Sequence, residues 1–277
     1  MRRSRTVRRA SAGLSPLRAG ALLALILAAA AIYGVGNSSA FGFREVQLEG
    51  ASVTSAAAVE EVLDLTRGTN LFQLATRDLE AAVADLPTVA AAQVSVGLPD
   101  TVVVRLEERD PVLVWRVGAR RYLADADGHL FAKVDETSPP GVAALPVVED
   151  QRAASAGLAV GSTLQAIDLD AATRLASLVP GDVGSEGERL DVIVTDPSGF
   201  SVYGRPAGWR AIFGFYTASL RTPDLIPGQV RLLRSLLIGR EPLIERVILA
   251  SETDGTYIPR PTPKPTATPK PTPTPAP

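Results

Sequence analysis

The chain has 277 residues, of which 46% are hydrophobic and 21% are charged, a composition that allows about two ordinary domains and excludes wholesale disorder. It has no cysteine, which excludes disulfides, zinc thiolates and cysteine nucleophiles together. The net charge of −2 hides an asymmetry, because residues 1–18 carry six arginines and no acid, and residues 256–277 carry three basic residues and no acid. All 30 acidic residues therefore lie between them, and this acidic segment disfavours nucleic acid as a partner.

Residues 19–36 read AGALLALILAAAAIYGVG and predict a single transmembrane helix. Eighteen helical residues span roughly 27 Å, close to the ~30 Å hydrocarbon core of a bilayer. The arginines of residues 1–18 predict a cytoplasmic N-terminus and a single-pass type II protein in the cell (inner) membrane, with its mass outside the cytoplasm. A signal peptide cleaved near Ser38-Ser39-Ala40 and a buried soluble helix are the alternatives.

Residues 41–108 predict a small domain with the order strand, helix, helix, strand, strand. Residues 43–50 alternate as a strand, Thr54 and Thr76 are predicted to cap the two helices, and residues 68–70 are predicted to end the first of them. The final strands follow in the alternating apolar segments that lead up to residue 108.

This order resembles the FtsQ-type POTRA domain of the bacterial division family FtsQ/DivIB. The residues that carry the resemblance are FREVQLEG (43–50), GTNLF (68–72), Leu86-Pro87, VSVGLPD (94–100) and LEERDPV (106–112).

The segment YLADADGHLF (122–131) holds the only histidine, His129, beside Asp125 and Asp127, and raises the question of a metal or acid–base site. Asp127-Gly128 is a two-residue hairpin signal of type I′, whereas calcium or zinc binding needs further ligands that the sequence does not supply. The sequence therefore predicts a hairpin here, and no catalytic, cofactor-binding or metal-binding residue is assigned anywhere in the chain.

Residues 109–255 resemble the β domain that follows POTRA in FtsQ/DivIB proteins, with helices predicted near residues 167–178 and 230–237. Periodicity assigns no structure to residues 204–216. The predicted fold class is α+β: one transmembrane helix, a POTRA domain, a mainly antiparallel β domain with flanking helices, and a disordered proline-rich tail at 256–277. This tail is expected to form neither helix nor sheet, and a cell-wall contact through its basic residues is the functional alternative to a plain tether.

The resemblance implies a non-enzymatic scaffold of the divisome at the septum, without a cofactor. It implies as partners the small bitopic coiled-coil division proteins FtsB (DivIC) and FtsL. The alternatives are a POTRA-containing transport or assembly component, and a membrane-anchored hydrolase whose site would include Asp125, Asp127 and His129.

The resemblance also implies that the final strand of the β domain lies at a sheet edge and pairs with a strand of the coiled-coil partner. The edge would present unpaired backbone N–H and C=O groups. The predicted partner-binding residues are Glu252, Asp254, Gly255, Thr256 and Tyr257.

Overall fold

The computed structural model describes residues 16–36, 38–135, 138 and 140–261. These residues divide into two compact units, with the boundary between Glu108 and Arg109. The basic residues before position 16, and the tail beyond residue 261, lie outside the described residues.

The first unit begins with helix α1, Pro16–Gly36, which is long and apolar enough to cross a membrane. The helix starts three residues earlier than predicted, because a proline is well tolerated in the first turn, where no N–H partner is needed.

A small α/β layer pair follows α1 within the same unit. Its elements are β1 (Glu45–Glu49), α2 (Ala56–Leu63), α3 (Thr76–Ala84), β2 (Val89–Gly97) and β3 (Thr101–Glu108). The sheet order is β1-β3-β2, with β1 parallel and β2 antiparallel to the central strand. The predicted element order is confirmed, and one face of the sheet packs on the helices around Val59, Val83, Val102 and Val104.

The helix caps differ from the predictions. Ser55, not Thr54, caps α2, because the Thr54 hydroxyl instead bonds that of Thr88 at 2.7 Å. Helix α2 ends at Asp64 in a left-handed conformation, four residues before Gly68. The N-cap of α3 is Ala75, so Thr76 is its first helical residue.

The second unit is built on one nine-stranded sheet. Its strands are β4 (Leu113–Val117), β5 (Arg120–Ala124), β6 (Leu130–Lys133), β7 (Val147–Asp150), β8 (Arg189–Thr195), β9 (Gly199–Arg205), β10 (Arg210–Gly214), β11 (Ile244–Leu249) and β12 (Gly255–Pro259). The spatial order is β12-β11-β10-β9-β8-β7-β4-β5-β6. Three neighbouring pairs are parallel (β4/β7, β7/β8 and β10/β11) and the others are antiparallel, which confirms an α+β domain with a mainly antiparallel sheet.

Two helices, α4 (Ala166–Ala176) and α5 (Ile226–Leu237), cover one face of this sheet. Leu175 and Leu233 are fully buried there against Trp115 and Trp209. The segment 204–216, which periodicity left unassigned, contains β10 and Trp209. Gly204 permits that packing, because a Cβ at this position would lie 2.3 Å from the indole ring.

The tail begins later than predicted. Residues 256–259 belong to β12, and the Arg260 guanidinium donates to the carbonyl of Ala207 at 2.8 Å. Prolines are compatible with this strand because it is outermost and bonds a neighbour on one side only.

Candidate partner-binding edge

The predicted edge residues lie at one end of the nine-stranded sheet. Gly255, Thr256 and Tyr257 form the first part of β12, which pairs with β11 and is the outermost strand in the order. Glu252 and Asp254 lie in the loop that joins the two strands. All five residues are exposed, so the structure gathers them on a single accessible margin.

The register identifies which backbone groups of β12 face its neighbour. The Ala250 N–H donates to the Asp254 carbonyl at 2.9 Å, which makes these two residues a hydrogen-bonded pair. Such pairs alternate along an antiparallel ladder, so the N–H and C=O groups of Thr256 and Ile258 also point toward β11.

The backbone N–H and C=O groups of the intervening residues of β12 therefore point away from β11, beyond the edge of the sheet. The free margin consists of the N–H and C=O groups of Gly255 and Tyr257, followed by the carbonyl of Pro259. Beyond them, the Arg260 N–H donates inward to the Leu243 carbonyl at 2.7 Å. Proline occupies an outward position, where its missing N–H leaves the internal ladder intact.

The side chains of β12 alternate between the two faces of the sheet. Tyr257 lies opposite the buried Val247, on the face covered by helices, and remains 47% exposed. Gly255 lies on the same face, where a Cβ would come within 3.0 Å of Leu232 in α5. Tyr257 is therefore the large exposed side chain of this margin on the helix-covered face.

The two predicted acids have different surroundings. The Asp254 carboxylate accepts a hydrogen bond from the Ser251 hydroxyl at 3.2 Å, and the Ser251 Oγ in turn accepts the Asp254 N–H at 2.9 Å. Glu252 lies over Gly228 in the first turn of α5, where an added Cβ would be 2.4 Å from its carboxylate. Asp254 thus shapes the loop, and Glu252 rests on the helix.

Two residues that the sequence analysis missed hold the strand ends beneath this loop. Gln229 is fully buried and donates to the Leu249 carbonyl at 3.1 Å, and Arg221 donates to the same carbonyl at 2.7 Å. The Tyr216 hydroxyl donates to Gln229 at 2.8 Å, and burial raises the pKa of Tyr216. A glutamine on the apolar stripe of α5 was the sequence signal for this network.

A buried carboxylate fixes the segment before β10. Glu241 accepts hydrogen bonds from the Trp209 indole at 2.6 Å, from the Glu186 N–H at 2.9 Å and from the Ser185 hydroxyl. Burial raises the pKa of Glu241, but these donors outweigh it and hold the pKa below its ordinary value. Trp209 is thereby locked in place beside the strands that carry the edge.

The Asp125–Asp127–His129 cluster lies at the opposite end of the sheet. The hairpin is confirmed by the pairing of β5 with β6, but the type I′ turn is wrong, because Gly128 has a positive φ and Asp127 does not. The Asp125 N–H donates to the His129 carbonyl at 3.2 Å, which closes a three-residue loop with a glycine bulge.

The ligand atoms of this cluster lie within 4.8 Å of one another, but a cation is already there. The Arg109 guanidinium donates to Asp125 at 2.7 Å and lies 3.3 Å from His129 Nδ1. Burial raises the pKa of Asp125, and the hydrogen bonds from Arg109 and from the His129 and Asp127 N–H groups outweigh that effect and lower the pKa. The arrangement is that of a loop organised by one carboxylate and neutralised by an arginine.

Comparison with known proteins finds a domain model and several relatives that match this chain. The family model for the FtsQ-type POTRA domain matches residues 41–109. A cell division protein FtsQ from Mycobacteroides abscessus is 31% identical over 174 residues, which cover 61% of this chain and 56% of that protein. A cell division protein FtsQ from Chloroflexus aurantiacus is 26% identical over 250 residues, which cover 87% of this chain and 80% of that protein.

A third relative extends the same pattern. The cell division protein FtsQ of Syntrophotalea carbinolica is 25% identical over 186 residues, covering 66% of this chain and 64% of that protein. The chain thus spans little more than half of the Mycobacteroides protein and four fifths of the Chloroflexus protein. The chain therefore carries an FtsQ-type POTRA domain at residues 41–109 and is similar to cell division proteins named FtsQ over much of its length.

Proposed function

We propose that this chain is a non-enzymatic, membrane-anchored scaffold of the bacterial divisome. Its relatives are named cell division proteins, and its POTRA domain is of the FtsQ type. The observation that carries the proposal is the open margin of β12, whose outward N–H and C=O groups suit the addition of a partner strand.

The partner that binds this margin is a strand of the FtsB (DivIC) type of small coiled-coil protein, with FtsL in the same assembly. Backbone hydrogen bonds at Gly255 and Tyr257 supply affinity, and the Tyr257 side chain, with Glu252 beside it, supplies selectivity. Thr256 belongs to the site as the spacer whose own N–H faces β11.

A matched pair of variants tests the edge. Tyr257→Pro removes an outward N–H and places a ring at the margin, whereas Tyr257→Ala removes the side chain and keeps the N–H. We expect the proline variant to lose about ten-fold or more in partner affinity, and the alanine variant to lose less. Pull-down of the coiled-coil partner, with a melting curve for each variant, measures this. Undiminished binding by a folded Tyr257→Pro protein would place the partner elsewhere.

The membrane topology is N-terminus in the cytoplasm and all residues after α1 outside it, with α1 retained as the anchor. The arginines before α1 support this orientation. A reporter that is active only outside the cytoplasm should work when fused after Pro277. A silent fusion, together with an active cytoplasmic reporter at the same point, would reverse the topology, and a mature chain beginning at Phe41 would establish a cleaved signal.

The cellular role is recruitment and linkage of division proteins at the septum, with the POTRA domain contributing to recruitment. Depletion should give filamentous, undivided cells, and a fluorescent fusion should concentrate at the septum. Normal division after depletion would contradict the scaffold role. The basic residues of the proline-rich tail provide a second contact, with the cell wall, which deletion of residues 262–277 tests by its effect on septal localisation.

A further inference from the structure

The POTRA domain has an apolar end. Among the described residues 38–108, the large apolar side chains that stand exposed are Phe72 and Leu98, each with 58% of its surface accessible. Single exposed apolar residues are common on protein surfaces, so their location decides what they mean. Phe72 lies in a short 3-10 turn within the connection between α2 and α3, and Leu98 lies in the turn between β2 and β3.

Both side chains lie at the end where the chain arrives from α1. The Phe43 N–H donates to the Thr69 carbonyl at 2.8 Å, which fixes the loop of Phe72 beside the start of β1. The next residue, Arg44, donates its N–H to the Asp100 carbonyl at 2.8 Å, which fixes the turn of Leu98 on the other side. The two exposed apolar residues therefore flank the incoming chain.

The last turn of α1 is joined directly to this end. The Asn70 side chain donates to the Gly36 carbonyl, the last of α1, at 2.6 Å. Phe41 packs edge-on against Phe72 with ring centroids 5.1 Å apart. Phe72 also lines an apolar groove whose other walls come from α1, formed by Ala31, Ile32, Val35 and Gly36.

The length of α1 fixes where a membrane surface would lie. Its 21 residues span about 31 Å, close to the ~30 Å thickness of a hydrocarbon core, so Gly36 lies at the level of the lipid headgroups. A side chain in contact with Ile32 and Val35 is then within about one helical turn of the acyl chains. The exposed Arg44 and Arg67 line a pocket with Phe43 at the same end, and Arg44 also pairs with Asp100 at 3.6 Å. Both guanidinium groups suit phosphate headgroups.

We propose that this end of the POTRA domain is a second membrane contact, with Phe72 and Leu98 inserted into the headgroup region of the bilayer that α1 spans. The inference rests on the proposed membrane anchor and adds a second contact, between the domain itself and the lipid surface. Lipid is the occupant because the apolar residues continue the apolar surface of α1 itself. Phenylalanine and leucine are among the residues that interfacial segments bury at the boundary of headgroups and acyl chains.

Tryptophan fluorescence tests the proposal on the full chain in phosphatidylcholine nanodiscs that contain brominated lipids. The native Trp115 and Trp209 are fully buried in the other unit and give a constant background. Phe72→Trp and Leu98→Trp should show added emission that is blue-shifted and quenched by bromine. Ala57→Trp, an exposed position near Ser55 at the far end of the domain, is the control and should show red-shifted emission without added quenching.

The outcomes separate the inference from the proposed anchor. If the chain does not enter the discs, the proposed anchor and the second membrane contact are both wrong. If the chain enters the discs and the Phe72→Trp and Leu98→Trp signals resemble that of Ala57→Trp, the anchor stands but the second membrane contact is overturned. The apolar end would then be a surface for a protein partner. Quenching at Phe72→Trp alone would overturn the contact at Leu98 and restrict the second membrane contact to the turn that contains Phe72.

Discussion

The two edges of the nine-stranded sheet are treated differently by the same chain. At the β6 edge, the Leu130 N–H donates to the Ser162 carbonyl and the Gly161 N–H donates to the Leu130 carbonyl, both at 2.8 Å. Leu130 and Phe131 are also buried. At the β12 edge, every residue of the strand is exposed, and no strand of the described residues pairs with its outward side. Within the described residues, the chain thus covers the β6 edge with its own backbone and leaves the β12 edge open, where another strand could be added.

The largest expected difference between the edges comes from proline. Leu130→Pro removes a buried side chain and leaves the Ser162 carbonyl without its donor, so it should cost about 4 kcal/mol or more of folding free energy. Leu130→Ala separates the packing part, about 2–4 kcal/mol. Tyr257→Pro should cost less than about 1 kcal/mol, since its N–H faces solvent. Denaturant unfolding measures all three, and equal costs at both edges would refute the deduced register.

A smaller effect is expected in the loop that leads into β6. Gly128 has φ +85°, and a Cβ there would lie 3.3 Å from the Leu164 carbonyl oxygen. Gly128→Val should therefore cost about 2–3 kcal/mol. Gly118 has φ +61° with open space around it, so Gly118→Val isolates the backbone strain. If the two changes cost the same folding free energy, the loop at the β6 edge is less tightly packed than described.

The stability contributed by the loop at the β6 edge should also depend on pH, through Asp125. Its pKa in the folded protein lies below the ordinary 3.8, so its contribution is complete above that value and is lost as the pH falls through the lowered pKa. Asp125→Asn should cost about 1–3 kcal/mol at neutral pH and less at about pH 3. Urea unfolding at both pH values tests this, and a penalty that does not shrink with acid would contradict it.

The smallest effect is expected at His129. Its side chain is 40% exposed and lies beside an aspartate that Arg109 already neutralises. His129→Ala should change stability by less than about 1 kcal/mol and leave metal content and septal function unchanged. Loss of function in a stably folded His129→Ala protein would reopen the hydrolase alternative, with elemental analysis of the wild type as its first check.

The sequence predicts local features of this molecule better than its long-range pairings. The strands near Val94 and Val194 follow from alternation, because in each a buried valine alternates with less buried neighbours. The parallel pairings of β7 with β4 and β8 carry no local signature, since their partners lie far away along the chain. β10 was missed because apolar residues lie on both of its faces, with Ile212 between the buried Ala211 and Phe213, so it lacks a polar alternation. Trp209 beside it is positioned by the distant Glu241.

The edge itself was predictable in part. The resemblance placed a final strand near Gly255 and Tyr257, but it could not tell which backbone groups point outward. That needs the register, which the Ala250–Asp254 bond establishes. The buried support from Gln229 and Arg221 required the packing of α5 against the strand ends.

The short free margin of β12 has a consequence for how a partner must be presented. Two residues with both outward groups, followed by one proline carbonyl, allow only a handful of intermolecular hydrogen bonds, each worth about 0.5–1.5 kcal/mol net. A strand that binds so short a ladder from free solution would dissociate readily. Anchoring the proposed partner in the same membrane as this chain would raise their effective concentration, so that a weak contact could be almost fully occupied without a larger interface.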